Sequence, residues 1–193
     1  MEHKMPLPLQ TERLIIRPFR DADIEDLGGW LLDPVVTRFL YLNFSNLEEL
    51  KPRLEMYQRR QQELGYSFWA IERKEDNRVI GGCGLLPLGW VGPDVELAWH
   101  MRRDCWNKGY TTEAGKAVIA YGLGELGIPH IWGIISPENP ASIAAAKKAG
   151  FEYVFTGTYK GDPHQFHQVP AGAPHVIPQG PDISVPEGYP SYD

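Results

Sequence analysis

The most informative stretch of the chain is residues 106–114, which read Trp-Asn-Lys-Gly-Tyr-Thr-Thr-Glu-Ala. Residues 95–101 before it alternate between large apolar side chains and others, and residues 112–126 after it carry apolar side chains at helical spacing. A strand that enters a glycine-containing loop and then a helix directs unpaired N–H groups and a helix dipole at one point. Gly109 allows a close backbone approach or a positive φ, and Lys108 adds a positive charge. The pattern predicts an anion site, with an ordinary strand-to-helix turn as the alternative.

Two better known nucleotide-binding patterns do not fit this loop. The dinucleotide fingerprint needs three glycines, and the P-loop ends in Gly-Lys-Ser or Gly-Lys-Thr. In this chain Lys108 precedes Gly109 instead of following it. Both of those nucleotide-binding classes are therefore disfavoured.

Strands and helices are predicted to alternate on both sides of the loop. Apolar alternation indicates strands, and apolar spacing of three or four with polar caps and terminal glycines indicates helices. The predicted product is one mixed sheet covered by helices, in the α/β (mixed α+β) class. Strands are predicted at residues 14–19, 67–72, 79–85, 95–101, 130–135 and 151–160, with 164–169 as a candidate strand, and helices after Asp21 or Asp23, at 45–64, at 112–126 and after Asn139.

Length and composition bound the class of protein. The 193 residues, 42% of them hydrophobic, predict a single catalytic domain over residues 1–169. Residues 170–193 are rich in Pro and Gly and are predicted to form an irregular tail. The net charge of −6 disfavours nucleic acid as a partner and favours a small molecule or a peptide end.

The remaining composition predicts a cytoplasmic protein without a metal. Cys83 and Cys105 are too few for a disulfide framework, and no leader or stretch of about 20 apolar residues is seen. We therefore expect no membrane insertion. His164, His167 and His175 lack further ligands at metal-binding spacing, so no metal site is expected.

The chain resembles the GNAT superfamily of N-acetyltransferases, in the branch that acetylates the N-termini of ribosomal proteins. The resemblance covers about residues 10–151 and implies a mostly antiparallel mixed sheet of six or seven strands with about four helices. Four blocks in the family's order are more specific than any one of them. The blocks are residues 11–14 (Thr-Glu-Arg-Leu) with 17–19, residues 33–40, residues 106–114, and residues 139–142 with 149–151.

By this resemblance the cofactor is acetyl-CoA, and the backbone of the loop would wrap its pyrophosphate. Met101 and Arg103 would contact the pantetheine arm, and Asn139 would bond it from the other side. The loop departs from the family's general pattern at its first residue and at the second place after its glycine. The pyrophosphate ligands implied in this way are the amides of Trp106, Asn107, Lys108, Gly109, Tyr110 and Thr111.

The chemistry requires a neutral amine, stabilisation of a developing oxyanion and a proton for the leaving thiolate. Glu96 is the candidate base, because it lies on the strand that leads to the loop; a salt-bridged or solvated strand residue is the alternative. His100 is predicted to share its strand face. Many family members place a Tyr where this chain has Ala146, so the resemblance moves the proton donor to Ser142. A hydroxyl that bonds its own backbone is the alternative for that serine.

These features predict an enzyme, an acyltransferase that moves an acetyl group from acetyl-CoA to a primary amine. The acceptor is a protein N-terminus or a small-molecule amine, attacked directly in a ternary complex. The alternative is a noncatalytic acyl-CoA-binding or regulatory module of the same fold, which Ala146 keeps open. The sequence also leaves open the identity of the amine, the formation of a homodimer and whether residues 164–169 pair as a final strand.

Overall fold

The computed structural model describes residues 7–90, 93–171, 178 and 183–184. These residues form five α-helices and nine strands. The helices are α1 Ile24–Leu31, α2 Pro34–Thr37, α3 Leu47–Leu64, α4 Tyr110–Gly124 and α5 Pro140–Ala149. The strands are β1 Leu9–Gln10, β2 Leu14–Arg17, β3 Phe68–Arg73, β4 Arg78–Pro87, β5 Val95–Met101, β6 Ile131–Ile135, β7 Glu152–Tyr159, β8 Asp162–Val169 and β9 Ile183–Ser184.

The strands form one mixed sheet in the order β1-β2-β3-β4-β5-β6-β8-β7-β9. Strands β5 and β6 pair in parallel, with Glu96 opposite Trp132. The pairs β1/β2, β2/β3, β3/β4, β6/β8, β7/β8 and β7/β9 are antiparallel. The predicted fold class is confirmed, and the two-residue strands β1 and β9 raise the number of strands above the predicted seven.

The chain forms two compact units, Met1–Gly84 with Ala98–Val118 and Leu85–Leu97 with Ile119–Asp193. In the first unit, the aromatic rings of Phe19, Tyr57 and Phe68 pack together with centroids 5.1–6.3 Å apart. The helix α3 supplies Tyr57 from its apolar face. As predicted, this helix ends at Gly65, which adopts the left-handed conformation with φ 77°.

A buried ion pair network also supports the first unit. The Arg17 guanidinium donates to both carboxylate oxygens of Asp23 at 2.8 and 2.9 Å and to Glu72 at 2.7 Å. Asp23 precedes α1 as predicted, but its side chain does not cap that helix. The carboxylate instead accepts from Arg17 and from the Arg20 N–H at 2.7 Å, because a buried guanidinium is a stronger partner than a helix N–H.

Glycines in β4 allow close packing within the first unit. A Cβ at Gly81 would lie 2.4 Å from the His100 carbonyl oxygen, and one at Gly84 would lie 2.2 Å from the Ser67 carbonyl oxygen. Both contacts are far shorter than van der Waals distance, so no other residue fits there without moving the backbone. The Gly81 contact brings the backbone of β4 against the end of β5.

The second unit contains the hairpin of β7 and β8, in which residues 164–169, left open by the sequence, form part of β8. Tyr159 pairs with Asp162, so the turn is Lys160-Gly161, with φ of 52° and 87°. Ile183, in the region predicted to be an irregular tail, pairs with Tyr159 and packs beside the core cluster. The two-residue strand β9 forms because the N–H and C=O groups at the edge of β7 are available to pair with its backbone. The cluster consists of Leu88, Trp132, Phe155, Tyr159 and Phe166.

The described residues hold neither a membrane-spanning helix nor a cluster of metal ligands. None of the helices within residues 7–90 and 93–171 is long and apolar enough to cross a membrane. In the same part of the chain, no three His, Cys, Asp or Glu side chains are grouped so that they could hold a metal ion. His175 lies outside the described residues.

Candidate active site

The loop between β5 and α4 makes two left-handed turns of the backbone. A short 3-10 turn spans Arg103–Cys105, after which Asn107 has φ 59° and Gly109 has φ 80°. The Glu113 N–H donates to the Gly109 carbonyl at 3.0 Å and closes the first turn of the helix. The helix begins at Tyr110, two residues earlier than the apolar spacing predicts.

The loop leaves a run of backbone donors unused. In the part of the chain that the structure describes, the N–H groups of residues 107–111 have no hydrogen-bond acceptor. Asn107, Lys108 and Gly109 are exposed, and Thr111 is half-buried. Unused N–H groups at the positive end of a helix are a ready site for an anion such as a phosphate.

Trp106 differs from the rest of the predicted pyrophosphate ligands. Its backbone N–H donates to the Arg103 carbonyl at 3.2 Å, and its indole N–H donates to the Met101 carbonyl at 2.8 Å. Both donors are therefore used within the loop. The indole ring is 40% exposed and ties the loop to the end of β5.

Met101 and Arg103 lie at the start of the same loop. The Met101 side chain is buried, and its carbonyl is occupied by Trp106, so a contact with pantetheine would use its N–H group or its sulfur. Arg103 is exposed, and its Nε lies 3.3 Å from a carboxylate oxygen of Asp33. That aspartate also caps α2, where it accepts from the Val35 N–H at 2.9 Å.

Glu96 belongs to the second unit, on β5 opposite Trp132. Partners in a ladder direct their side chains to the same face of a sheet, so the Glu96 side chain lies on the face of Trp132. Burial raises the pKa of Glu96 to about 7, and the charge of Lys160 opposes this rise only in part. A carboxylate that is half ionised near neutral pH is suited to accept and release a proton.

His100 has the opposite behaviour. Burial lowers the pKa of its imidazole to about 3, and the charge of Arg53 lowers it further. The ring lies 4.8 Å from the ring of Phe68, and its Nδ1 is buried without a hydrogen-bond partner among the described residues. The imidazole therefore stays neutral at physiological pH, which leaves Glu96 as the better base on β5.

Asn139 and Ser142 lie together at the start of α5. The Asn139 side-chain oxygen accepts from the Ser142 N–H at 3.1 Å, which confirms the predicted cap and leaves the amide nitrogen for another partner. The Ser142 side chain is half-buried. Ala146 is fully buried, and its methyl side chain cannot carry a proton.

Two residues of the loop's surroundings have no local signal in the sequence. Thr11 and Arg13 lie in the block of residues 11–14, which is far from the loop in sequence. Both nevertheless bind Glu113, about a hundred residues away. Arg13 also donates to the Lys108 carbonyl at 3.0 Å. Only the pairing of distant segments reveals these contacts.

Comparison with protein families identifies the chain. Residues 13–152 match the model of the acetyltransferase (GNAT) domain. An uncharacterized protein of Bacillus subtilis (strain 168), YkkB, is 31% identical over 147 residues, which cover 75% of this chain and 85% of that protein. An uncharacterized N-acetyltransferase of the same organism, YoaA, is 28% identical over 145 residues, or 75% of this chain and 82% of that one.

Solved structures show the same fold. An acetyltransferase of the GNAT family from Bacillus anthracis superposes with a TM-score of 0.71 at 22% identity and covers 83% of this chain and 96% of its own. Spermidine N-acetyltransferase from Vibrio cholerae, solved with CoA and spermine, has a TM-score of 0.69 at 13% identity, with coverage of 82% and 96%. The matched domain and the relatives agree with the fold, and the chain belongs to the GNAT family as an N-acetyltransferase.

Proposed function

We propose that the loop binds the pyrophosphate of acetyl-CoA through the N–H groups of residues 107–111. The observation that carries this proposal is the run of N–H groups without an acceptor in the described residues, ending at the start of α4. The positive φ values of Asn107 and Gly109 turn the backbone twice within three residues. Successive N–H groups in such a turn favour an anion of the size of a phosphate.

Three residues are assigned to the pantetheine arm. Met101 would use its N–H group or its sulfur, since Trp106 holds its carbonyl. Arg103 is exposed and reaches solvent beside Asp33. Asn139 would donate from its amide nitrogen, because its oxygen caps α5.

Glu96 takes the proton of the acceptor amine in this proposal. Acetyl-CoA supplies a thioester whose carbonyl carbon is attacked by a neutral amine. The raised pKa of Glu96 places its ionisation in the range where it can accept that proton. A backbone N–H at the end of β5, at His100 or Met101, would donate to the oxygen on which negative charge develops.

The Ser142 hydroxyl gives a proton to the leaving thiolate in the same scheme. Since a thiolate is a stable leaving group, with a pKa near 8.5 for a thiol, we expect Ser142→Ala to lower kcat by only about tenfold. The KM for acetyl-CoA should change little. Steady-state assays of free CoA thiol test this, with Ser136→Ala as the matched control just before α5. An equal loss in both variants would assign Ser142 a structural role.

The acceptor is a primary amine, carried by a peptide N-terminus or by a small molecule. We expect the purified protein to release CoA thiol from acetyl-CoA when it is given a mixed panel of such amines. The alternative of a noncatalytic module rests on Ala146, which is buried and has no ionisable group. Tight binding of acetyl-CoA without thiol release for any amine in the panel would establish that alternative.

A further inference from the structure

The carboxylate of Glu113 is held by a turn at the other end of the domain sequence. The Thr11 hydroxyl donates to Oε1 at 2.6 Å, and the Arg13 backbone N–H donates to the same oxygen at 2.9 Å. The Arg13 guanidinium contacts Oε2 through Nε at 2.7 Å and through Nη2 at 2.6 Å. Both oxygens of one carboxylate are therefore fixed by two residues of the chain between β1 and β2.

The turn that carries Thr11 and Arg13 is itself well fixed. The Thr11 N–H donates to the Leu14 carbonyl at 3.0 Å, and the Leu14 N–H donates to the Thr11 hydroxyl at 3.0 Å. The Lys74 ammonium, one residue past β3, donates to the Thr11 carbonyl at 2.6 Å. Such a turn is a rigid support for a side chain that must hold its geometry.

Arg13 contacts the glycine loop on both sides of Gly109. Its Nη1 donates to the Lys108 carbonyl at 3.0 Å, and its guanidinium carbon lies 4.5 Å from the centroid of the Tyr110 ring. The guanidinium thus joins Lys108, Tyr110 and Glu113, which together span the turn into α4. A planar guanidinium can make these contacts at once, whereas an ammonium group cannot.

The contacts of Thr11 and Arg13 with Glu113 also matter for anion binding, because they offset a negative charge beside the loop. Glu113 lies in the first turn of α4, beside the N–H groups that would receive a phosphate. Burial alone would raise its pKa, but the hydrogen bonds from Thr11 and Arg13 outweigh burial and hold the pKa below the ordinary value. The carboxylate is therefore ionised at neutral pH, and an unopposed negative charge there would repel a phosphate.

We propose that Arg13, supported by Thr11, is a positioning residue of the pyrophosphate loop. It fixes the Lys108 carbonyl and so the direction of the neighbouring N–H groups, and it offsets the charge of Glu113. This inference rests on the proposed function of the loop. Arg13 and Thr11 act by fixing the loop, and neither residue contacts the reacting atoms in this proposal.

The test compares two acetyl donors, of which one carries the pyrophosphate. Acetyl-CoA carries it together with 3′-phosphoadenosine, and S-acetylpantetheine has the same thioester without either group. We expect Arg13→Gln to raise the KM for acetyl-CoA about tenfold and to leave kcat/KM for S-acetylpantetheine within about twofold of the native value. The matched control is Arg59→Gln, an exposed arginine on α3, which should leave both donors unchanged.

The outcomes separate this inference from the proposed function. If the native protein shows no preference for acetyl-CoA over S-acetylpantetheine, the pyrophosphate assignment itself fails. If the native protein has that preference and Arg13→Gln keeps it, only the role of Arg13 fails. An equal loss with both donors would show a structural role and would overturn the inference. Should Arg13→Gln not fold, Thr11→Val removes the hydroxyl that donates to Glu113 and accepts from the Leu14 N–H, and it should raise the acetyl-CoA KM about threefold.

A double-variant cycle distinguishes a positioning role from direct contact with phosphate. If Arg13 acts through Glu113, the effect of Arg13→Gln should shrink at least about threefold when Glu113→Gln is already present. If Arg13 binds the phosphate directly, the two effects on the acetyl-CoA KM should multiply independently. Independent effects would overturn the part of the proposal in which Arg13 offsets the charge of Glu113.

Discussion

We expect Gly109→Glu to abolish acetyl-CoA binding, with an affinity loss of more than about 100-fold and little loss of folded structure. The position has room, because a Cβ there would meet only Arg13 Nη2, at 3.4 Å. The new carboxylate would lie among the N–H groups of the loop and occupy them as an internal anion. It would also repel the pyrophosphate, so two effects act in the same direction. Isothermal titration calorimetry with acetyl-CoA measures the loss.

The control for this variant is Gly127→Glu. Gly127 also has a left-handed backbone, with φ 64°, and a Cβ there would meet nothing within 4 Å. The two variants therefore carry the same added charge and a similar backbone penalty, about 1–2 kcal/mol. Gly127→Glu should bind acetyl-CoA as the native protein does and unfold at a similarly lowered temperature. Native affinity in Gly109→Glu would refute the pyrophosphate assignment.

Much of the fold could be predicted, because its signals are local. The strand at residues 95–101 and the start of α5 agree with the prediction, since alternation and an Asn-Pro cap act over a few residues. The sequence left open whether residues 164–169 form a strand, because their apolar alternation is weak, and the structure pairs them with β7. The strand β9 was not, because a two-residue strand has no periodicity and forms only where β7 offers a free edge.

The site was predicted less completely, for a physical reason. The contacts of Thr11 and Arg13 with Glu113 join residues about a hundred positions apart, and no spacing rule links them. The sequence pattern does not separate Glu96 from His100 as a base. Both are predicted to lie on the same face of β5, but burial raises the pKa of the acid and lowers that of the imidazole. Desolvation by distant parts of the chain decides which of them can act as a base.

Glu96→Gln is the second substitution with a large expected effect. Loss of a general base typically lowers the rate by about 10²–10⁴-fold, and we expect kcat to fall by at least about 100-fold at pH 8. The KM for acetyl-CoA should change little, because the loop that binds it is untouched. Glu125→Gln, an exposed glutamate in the same unit, is the matched control and should keep native kcat.

The pH dependence gives an independent measurement. Glu96 must be ionised to accept a proton, so with a pKa of about 7 the native kcat should fall about tenfold for each pH unit below that value. The variant should lack this inflection. A native profile without an inflection near pH 7, or one that persists in Glu96→Gln, would contradict the assignment of Glu96 as the base.

The stability of the same variant should move in the opposite direction to its activity. Because burial raises the pKa of Glu96 from 4.5 to about 7, the folded state binds more protons than the unfolded state between these pH values. Native stability therefore falls as pH rises through this range, by on the order of 1–3 kcal/mol. A neutral glutamine avoids that cost, so Glu96→Gln should unfold at a higher temperature than the native protein at pH 8. A variant that is both less active and more stable has lost a group kept for its chemistry, since a purely structural residue would lose stability when replaced.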